Sequence, residues 1–276
     1  MPSTLFRSAA ATGAILVVTA LAACASGAAP ESESDYVTDG KFTVATGEPA
    51  YYPYVIDDEP ESGEGFESAV AYAVADELGF AADDVVWVRS TFDSAIAPGA
   101  KDFDVNLQQF TISDERRDAV DFSSSYYSTP QAVITVEGSP AAEASSIADL
   151  SGYLIGAATG TTSFTTIEEV IQPSSAAQAF NSNDDAKLAL ENGTVDAIVV
   201  DLPTAYYLTG VELTGGVLIG QLPVSGIADE WGIVLEKDSP LTDEVSAAVD
   251  TLREDGTLQE ITDEWLGADA GAPVLE

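Results

Sequence analysis

The sequence predicts an α/β protein built as two compact lobes. Segments of strand character alternate with segments of helix character in two successive runs, an order that favours parallel-rich sheets covered by helices. The pattern breaks between the runs at residues 122–130, where serine, tyrosine and threonine precede Pro130. The length that remains after a leader segment is removed is enough for two hydrophobic cores.

Residues 1–23 have the composition of a signal peptide. Arg7 is their only charge, and residues 9–23 form an apolar run too short to span a bilayer comfortably. The run ends in Leu-Ala-Ala before Cys24, a pattern that resembles a bacterial lipobox, where cleavage leaves a lipidated N-terminal cysteine. An ordinary signal peptide with an incidental cysteine is the alternative. Residues 24–40, rich in Ser, Glu and Ala, are predicted to form a flexible tether.

Charge and composition exclude several classes of function. Residues 1–23 hold one of the nine basic residues and no acidic one, so the remaining 253 residues carry a formal charge of −39. Such a charge repels nucleic acid, and it keeps a secreted protein soluble. The absence of histidine excludes Ser-His-Asp and Cys-His catalysis and disfavours zinc. A lone cysteine excludes an internal disulfide, and no acidic run fits a calcium loop, so we expect no metal or cofactor.

Each predicted element rests on the spacing of its apolar residues and on the residues that mark its beginning and end. Predicted strands of the first run occupy residues 41–45, 85–88 and 103–110, with helices at 66–78 and 92–98. Those of the second run and the chain end are strands at 131–136, 153–157, 195–200 and 231–235, with helices at 186–190, 241–252 and 258–266.

One strand-to-helix turn draws attention to Arg116. Ser113 followed by two acids predicts a helix start, and Arg116 then stands where a capping box carries Glu or Gln. A cation at the positive end of a helix is unfavourable by about 0.3 kcal/mol. An ion pair with Asp114, Asp118 or Asp121 would explain it, and so would a carboxylate ligand.

Several motifs, in their order and spacing, resemble one family. They are Gly65-Phe66-Glu67 before a helix, TISDER leading into AVDFS (residues 111–123), GTTS (160–163), VDAIVVDLPTA (195–205) and the ending WGIVLEKDSPL, LREDGTL and WLG (231–267). Over nearly all of residues 41–267 the chain resembles the extracellular solute-binding proteins of family 3, the polar amino-acid receptors of bacterial ABC importers. It departs from them at Ala69, where many members carry an acid, and at Asp114, where proline is common.

The resemblance implies a two-lobed periplasmic-binding-protein-like fold of type II, with two crossover segments and a ligand cleft between the lobes. We place the crossovers near residues 126–130 and 229–231. Residues 41–128 and 230–267 would form the first lobe, residues 129–229 the second, and residues 268–276 a C-terminal tail.

The resemblance also implies a site for an amino acid. Arg116 would bind the ligand α-carboxylate in a two-pronged pair, with Thr111 adding its hydroxyl or amide. The Gln109 carbonyl would accept from the α-ammonium.

From the second lobe, Thr162 would offer a backbone donor to the carboxylate, and Asp201 would balance the ammonium. Each could instead be only a helix cap. Tyr51 and Phe92 would be aromatic walls against the ligand side chain, with lobe packing as the alternative. Glu48 would face a basic side chain or be an idle surface acid.

The function implied is non-enzymatic. The protein would be a monomer, anchored by lipid on Cys24 to the extracytoplasmic face of the cell membrane, that captures an amino acid and delivers it to an ABC permease and its ATPase. Two alternatives stay open on the same fold. One is an enzyme that resembles the cyclohexadienyl dehydratases, which act on prephenate or arogenate, and the other is a ligand-sensing domain.

Overall fold

The computed structural model describes residues 34–223, 229–267 and 272–276. Their strands are β1 (Phe42–Gly47), β2 (Val85–Ser90), β3 (Val105–Asn106), β4 (Val120–Thr129), β5 (Gln131–Val136), β6 (Ile155–Ala158), β7 (Gln178–Phe180), β8 (Ala197–Asp201), β9 (Gly216–Gln221) and β10 (Asp229–Glu236). Their α-helices are α1 (Phe66–Glu77), α2 (Phe92–Ile96), α3 (Asp114–Arg117), α4 (Ile147–Leu150), α5 (Thr162–Thr166), α6 (Asn183–Glu191), α7 (Leu202–Tyr207), α8 (Thr242–Glu254) and α9 (Thr257–Trp265). None of the helices described is long and apolar enough to cross a membrane.

The strands form two five-stranded mixed sheets, one in each lobe. The first has the order β2-β1-β3-β10-β4 and the second β7-β6-β8-β5-β9. Strands β1, β2 and β3 run parallel, as do β6, β7 and β8, and β10 and β5 join their sheets antiparallel. The predicted α/β fold class is confirmed.

Side chains that alternate along the strands build an apolar cluster on each face of each sheet. On β1, Phe42 and Val44 contribute to one cluster and Ala45 to the other. On β5, Ile134 belongs to the cluster on one face of the second sheet and Val133 to the cluster on the other face. Each lobe therefore has its own core, so it can act as a rigid body.

The chain passes from one sheet to the other in two connections. Thr129 ends β4 and Gln131 begins β5, with Pro130 alone between them, and the second connection runs from Gln221, the end of β9, to Asp229, the start of β10. Near the start of β10, Trp231 is fully buried, 5.5 Å from the ring of Tyr54 between centroids. The ends of the two sheets consequently meet close to the connections.

Chain segments outside the sheets also pack onto the lobes. The ring of Tyr36, within the predicted tether, contacts that of Phe80 at 5.0 Å between centroids. Near the C-terminus Val274 bridges to Gln221 on β9, and Leu275 is buried in the core of the second lobe. Residues 1–33, which include the predicted signal peptide, Cys24 and most of the tether, and residues 268–271 of the predicted tail lie outside the described residues.

Several elements differ from the sequence predictions, and three strands show why. Strand β3 has two residues because only Val105 and Asn106 find partners in β1 and β10. Strand β4 extends through the serine-rich stretch that was predicted to break the pattern, since β10 pairs with it. Strand β9 was not predicted, and its glycines explain why its apolar pattern is weak.

Candidate functional site

A cavity of about 190 Å³ lies between the lobes. The first lobe lines it at the ends of its parallel strands, with Gly47, Thr91 and Gln108. The second lobe lines it at the ends of β6 and β8, with Ala158 and Asp201. Because loops at the carboxyl ends of parallel strands are the usual ligand-binding part of open α/β sheets, this cavity is the candidate site.

All eight ligand-binding residues predicted from the sequence line this cavity. They are Glu48, Tyr51, Phe92, Gln109, Thr111 and Arg116 from the first lobe, and Thr162 and Asp201 from the second. The structure brings these residues together, and their contact with a ligand stays a prediction.

Arg116 is oriented by backbone carbonyls and by an aromatic ring. Its Nη1 donates to the carbonyl of Thr111 at 2.7 Å, and its Nη2 donates across the cleft to the carbonyl of Gly160 at 2.9 Å. Its Cζ lies 5.3 Å from the ring centroid of Phe92, a cation–π distance. These contacts hold the guanidinium at the cavity with its full charge.

The ion-pair explanation of Arg116 is wrong. Within the described residues no carboxylate approaches its guanidinium to 4.0 Å, and Asp121 instead pairs with Lys237 at 3.0 Å. Helix α3 has only four residues, so Arg116 falls in its last turn, where a cation is not unfavourable. Burial lowers the pKa of Arg116, and the charges of Asp229 and Asp201 act in the opposite direction.

Thr111 and Thr162 meet across the cleft, with 3.3 Å between their Oγ1 atoms. Thr162 is the first residue of α5, but the cap of that helix is Thr161, whose hydroxyl accepts from the amide of Phe164 at 3.3 Å. The cap explanation of Thr162 is therefore wrong. Its hydroxyl instead donates to Oδ2 of Asp229 at 3.1 Å.

Gln109 is held by a buried acid, Glu67, that was not among the predicted ligand-binding residues. Its backbone has φ 52°, and its amide donates to Oε1 of Glu67 at 2.7 Å. The Gln109 side chain donates to the other oxygen of Glu67, and the hydroxyl of Tyr126 donates to Oε1 at 2.5 Å. Glu67 is 1% exposed, and burial raises its pKa to about 7 although its three hydrogen bonds oppose the shift.

The motif Gly65-Phe66-Glu67 carried the signal for this arrangement. A Cβ atom on Gly65 would lie 2.5 Å from the carbonyl oxygen of Tyr54, so only glycine fits there. The close approach delivers Glu67 into the lobe interior at the start of α1. Burying an acid beside Phe66 costs free energy unless the acid is hydrogen-bonded, and Gln109 and Tyr126 provide these hydrogen bonds.

Asp201 is the acid of the cleft. It stands at the N-cap position of α7, but its side chain makes no capping hydrogen bond, so the cap explanation is wrong. It accepts instead from Nε2 of Gln131 at 2.6 Å. Burial, followed by the charge of Asp229, raises the pKa of Asp201 to about 7, while the Gln131 bond and the Arg116 charge oppose this.

The remaining predicted residues form the walls of the cavity. Tyr51 is half-buried, and burial raises the pKa of its hydroxyl to about 12. Phe92 contacts Phe110 at 4.7 Å between ring centroids, so it packs on the lobe as well as facing the cavity. Glu48 is exposed at the edge of the cavity.

Further contacts join the lobes beside the cavity. The hydroxyl oxygens of Tyr54 and Thr204 lie 2.9 Å apart. The rings of Tyr52 and Tyr207 stack with 4.4 Å between centroids. The cleft is thus bordered by interlobe contacts that involve no charge.

A family comparison decides the class of the protein. The model of the bacterial extracellular solute-binding proteins, family 3, matches residues 43–268. The chain belongs to this family. The resemblance found in the sequence and the two-lobed architecture are confirmed.

Individual family 3 proteins similar to this one bind amino acids. The L-arginine-binding protein of Pseudomonas aeruginosa is 30% identical over 237 residues, which cover 80% of this chain and 86% of that protein. The structure of an ancestral arginine-binding protein bound to arginine has a TM-score of 0.68 at 29% identity, covering 82% of this chain and 98% of that one. The ancestral amino acid-binding protein AncCDT-1, a precursor of cyclohexadienyl dehydratase, has a TM-score of 0.69 at 27% identity over 82% and 95%.

Proposed function

We propose that this family 3 protein captures a free amino acid between its lobes and delivers it to an ABC permease. The observation that carries the proposal is a pair of opposite charges from opposite lobes on one cavity, the guanidinium of Arg116 and the carboxylate of Asp201. An amino-acid zwitterion bears one charge of each sign, so it neutralises both.

The carboxylate end of the ligand would lie at Arg116. A guanidinium binds a carboxylate through two parallel hydrogen bonds, and the hydroxyls of Thr111 and Thr162 lie 3.3 Å apart beside it. The ammonium end would lie at Asp201, with Gln109 supplying a neutral acceptor. Tyr51 and Phe92 would enclose the side chain.

Capture is coupled to closure because the two charged groups belong to different lobes. A ligand that contacts both lobes binds the closed arrangement better than the open one, and this difference in affinity shifts the population. The uncharged contact of Tyr54 with Thr204 adds to the closed arrangement but does not discriminate between ligands.

We propose a cationic amino acid as the ligand. The lining contains the acids Glu48 and Asp93 in addition to Asp201 and Glu67, and among the residues described there Arg116 is the single basic one. A cationic side chain would offset this surplus of negative charge, whereas an acidic one would add to it. The arginine-binding relatives support the same choice.

The test is a thermal-shift panel of the twenty amino acids and ornithine, followed by calorimetric titration of those that raise the Tm. We expect L-arginine or another cationic amino acid to give the largest shift. Arg116→Ala should abolish the shift, because truncating one partner of a buried charge pair costs about 2–5 kcal/mol. Arg117→Ala is the matched control: the neighbouring arginine is exposed and should leave binding unchanged. Retained binding by Arg116→Ala would contradict the proposal.

We propose that lipid on Cys24 keeps the protein on the extracytoplasmic face of the membrane. The support is the lipobox-like sequence before Cys24. A lipoprotein carries several acyl chains, which anchor far more strongly than one. Cys24→Ser should move the protein from the membrane fraction to the medium or periplasm. A variant that still sediments with membranes would contradict this anchor.

A second candidate is an acid-catalysed elimination, because Asp201 lines the cavity and a structurally similar protein is a precursor of cyclohexadienyl dehydratase. A carboxyl group with a pKa of about 7, as burial and Asp229 give Asp201, is suited to general acid catalysis at neutral pH. Measurable turnover of prephenate by the purified protein, lost in Asp201→Asn, would establish it. Tight amino-acid binding without turnover would leave capture as the function.

A further inference from the structure

Gln131, the first residue of β5, connects the two crossovers to the cleft. It is 5% exposed, and its Nε2 donates to Oδ1 of Asp201 at 2.6 Å and to Oδ2 of Asp229 at 2.5 Å. Its Oε1 accepts from the hydroxyl of Ser163 at 2.6 Å. The orientation of the amide is thereby fixed, since the flipped amide would turn its oxygen towards two carboxylates.

Asp229 supplies the second carboxylate of this arrangement from the start of β10. Besides Gln131, it accepts from the hydroxyl of Thr162 at 3.1 Å. It does not line the candidate ligand cavity but a neighbouring one of about 620 Å³, and Arg116 and Thr162 line both. Asp229 therefore lies directly behind residues assigned to the ligand.

Two carboxylates that share one amide nitrogen repel each other. The repulsion can be relieved by a proton or by a cation, and the ligand ammonium is such a cation. A ligand that brings a positive charge to Asp201 consequently gains from both acids, although it touches only one.

We propose that Asp229 is a positioning residue that sets the strength and the pH range of ligand binding, by holding Thr162 and Gln131 in place and by adding negative charge behind Asp201. The inference rests on the proposed function, because it assigns the ammonium to Asp201.

The charged and titratable groups around Asp201 determine the direction in which ligand affinity should change with pH. Arg116 stabilises the ionised form of Asp201, whereas Asp229 and, more weakly, Glu67 oppose it. Tyr54 also lies near, and its pKa is raised by burial and then by the charge of Asp201. Since the pKa of Asp201 is about 7, the empty cleft takes up a proton as the pH falls below neutrality. Ligand affinity should then decrease about tenfold per pH unit on the acid side.

The test compares Asp229→Asn with wild type. The amide keeps an acceptor for Gln131 and Thr162 but removes the charge. We expect the affinity of this variant for L-arginine, or for the tightest ligand of the panel, to fall about tenfold at pH 8. In a plot of affinity against pH, the loss of affinity on the acid side should begin about one pH unit lower. Glu230→Gln is the matched control, the same loss of charge one residue away on an exposed side chain. It should leave both the affinity and the profile unchanged.

A measurement without ligand separates this inference from the proposed function. The carboxyl carbon of Asp201, followed by NMR during a pH titration of the empty protein, should titrate about one unit lower in Asp229→Asn than in wild type. Asp229→Ser removes the same charge with a smaller side chain if the amide is not accommodated. An unchanged Asp201 titration would overturn the inference. If the titration shifts but wild type binds no amino acid, the action of Asp229 on Asp201 stands, and the proposed function is overturned together with the ligand assignment that depends on it.

Discussion

Glu67 and Asp201 are both largely enclosed acids beside the same cleft, each with a pKa raised to about 7, yet their surroundings assign them different tasks. Glu67 has three donors from its own lobe and, in the part of the chain that the structure describes, no cation among its partners. Asp201 has one donor, a second acid nearby and Arg116 facing it from the other lobe. A carboxylate that already accepts several hydrogen bonds from its own lobe holds its neighbours in place. A carboxylate that can still accept hydrogen bonds is able to bind a ligand.

Replacing the acid of the second lobe should have the largest effect. Asp201→Asn removes the counter-charge of the ligand ammonium, and we expect binding of the best amino acid to weaken at least about 100-fold, or about 3 kcal/mol. Titration calorimetry at pH 8 measures the change. Glu168→Gln, an exposed acid of the same lobe, serves as the control. Near-normal affinity of Asp201→Asn would remove the distinction between the two acids.

Replacing the acid of the first lobe should act on stability instead. The folded-state pKa of Glu67 is about 7, above its ordinary value of 4.5, so the folded protein binds the proton more tightly than the unfolded chain. Stability from this group is complete below about pH 4.5 and is lost as the pH rises to about 7. Glu67→Gln should raise the unfolding free energy at pH 8 by up to about 3 kcal/mol and change it little at pH 4.

Urea unfolding at the two pH values tests this prediction, with Glu64→Gln, an exposed acid in the preceding loop, as the control. Ligand affinity of Glu67→Gln should fall by only a few fold, through Gln109. An equal stability change at both pH values would show that packing and not charge dominates at this position.

The smallest effect is expected where the lobes touch without charge. Thr204→Val removes the hydrogen-bond partner of the Tyr54 hydroxyl while keeping the shape of the side chain. The closed arrangement should lose about 1 kcal/mol of stability relative to the open one. The affinity should therefore fall about fivefold, and by the same factor for every amino acid that binds. Thr209→Val, away from the interlobe contact, is a control. A loss that depended on the ligand would place Thr204 within the binding site.

The sequence predicted what depends on local pattern. Alternating apolar residues identified most strands, and motif order identified the family and the residues that line the cleft. Thr111 and Arg116 could be identified from the sequence because both lie at one strand-to-helix turn.

The partners of these residues could not be predicted in the same way. Gln131 and Asp229 each begin a strand, which gives no reason to single them out, and their bond joins positions 98 residues apart. Glu67 meets Gln109 across 42 residues. Such pairs arise only when the sheets assemble, so the pKa values of Glu67 and Asp201 belong to the tertiary structure.

The burial of Trp231 also gives the protein an intrinsic optical signal. This indole contacts the ring of Tyr54, whose hydroxyl reaches the other lobe, and it is the third residue of β10. Opening of the cleft would change the environment of Trp231, whereas Trp87 and Trp265 pack against the core of the first lobe. Fluorescence of a variant that keeps Trp231 as its single tryptophan would therefore follow capture and release in real time, without an attached dye.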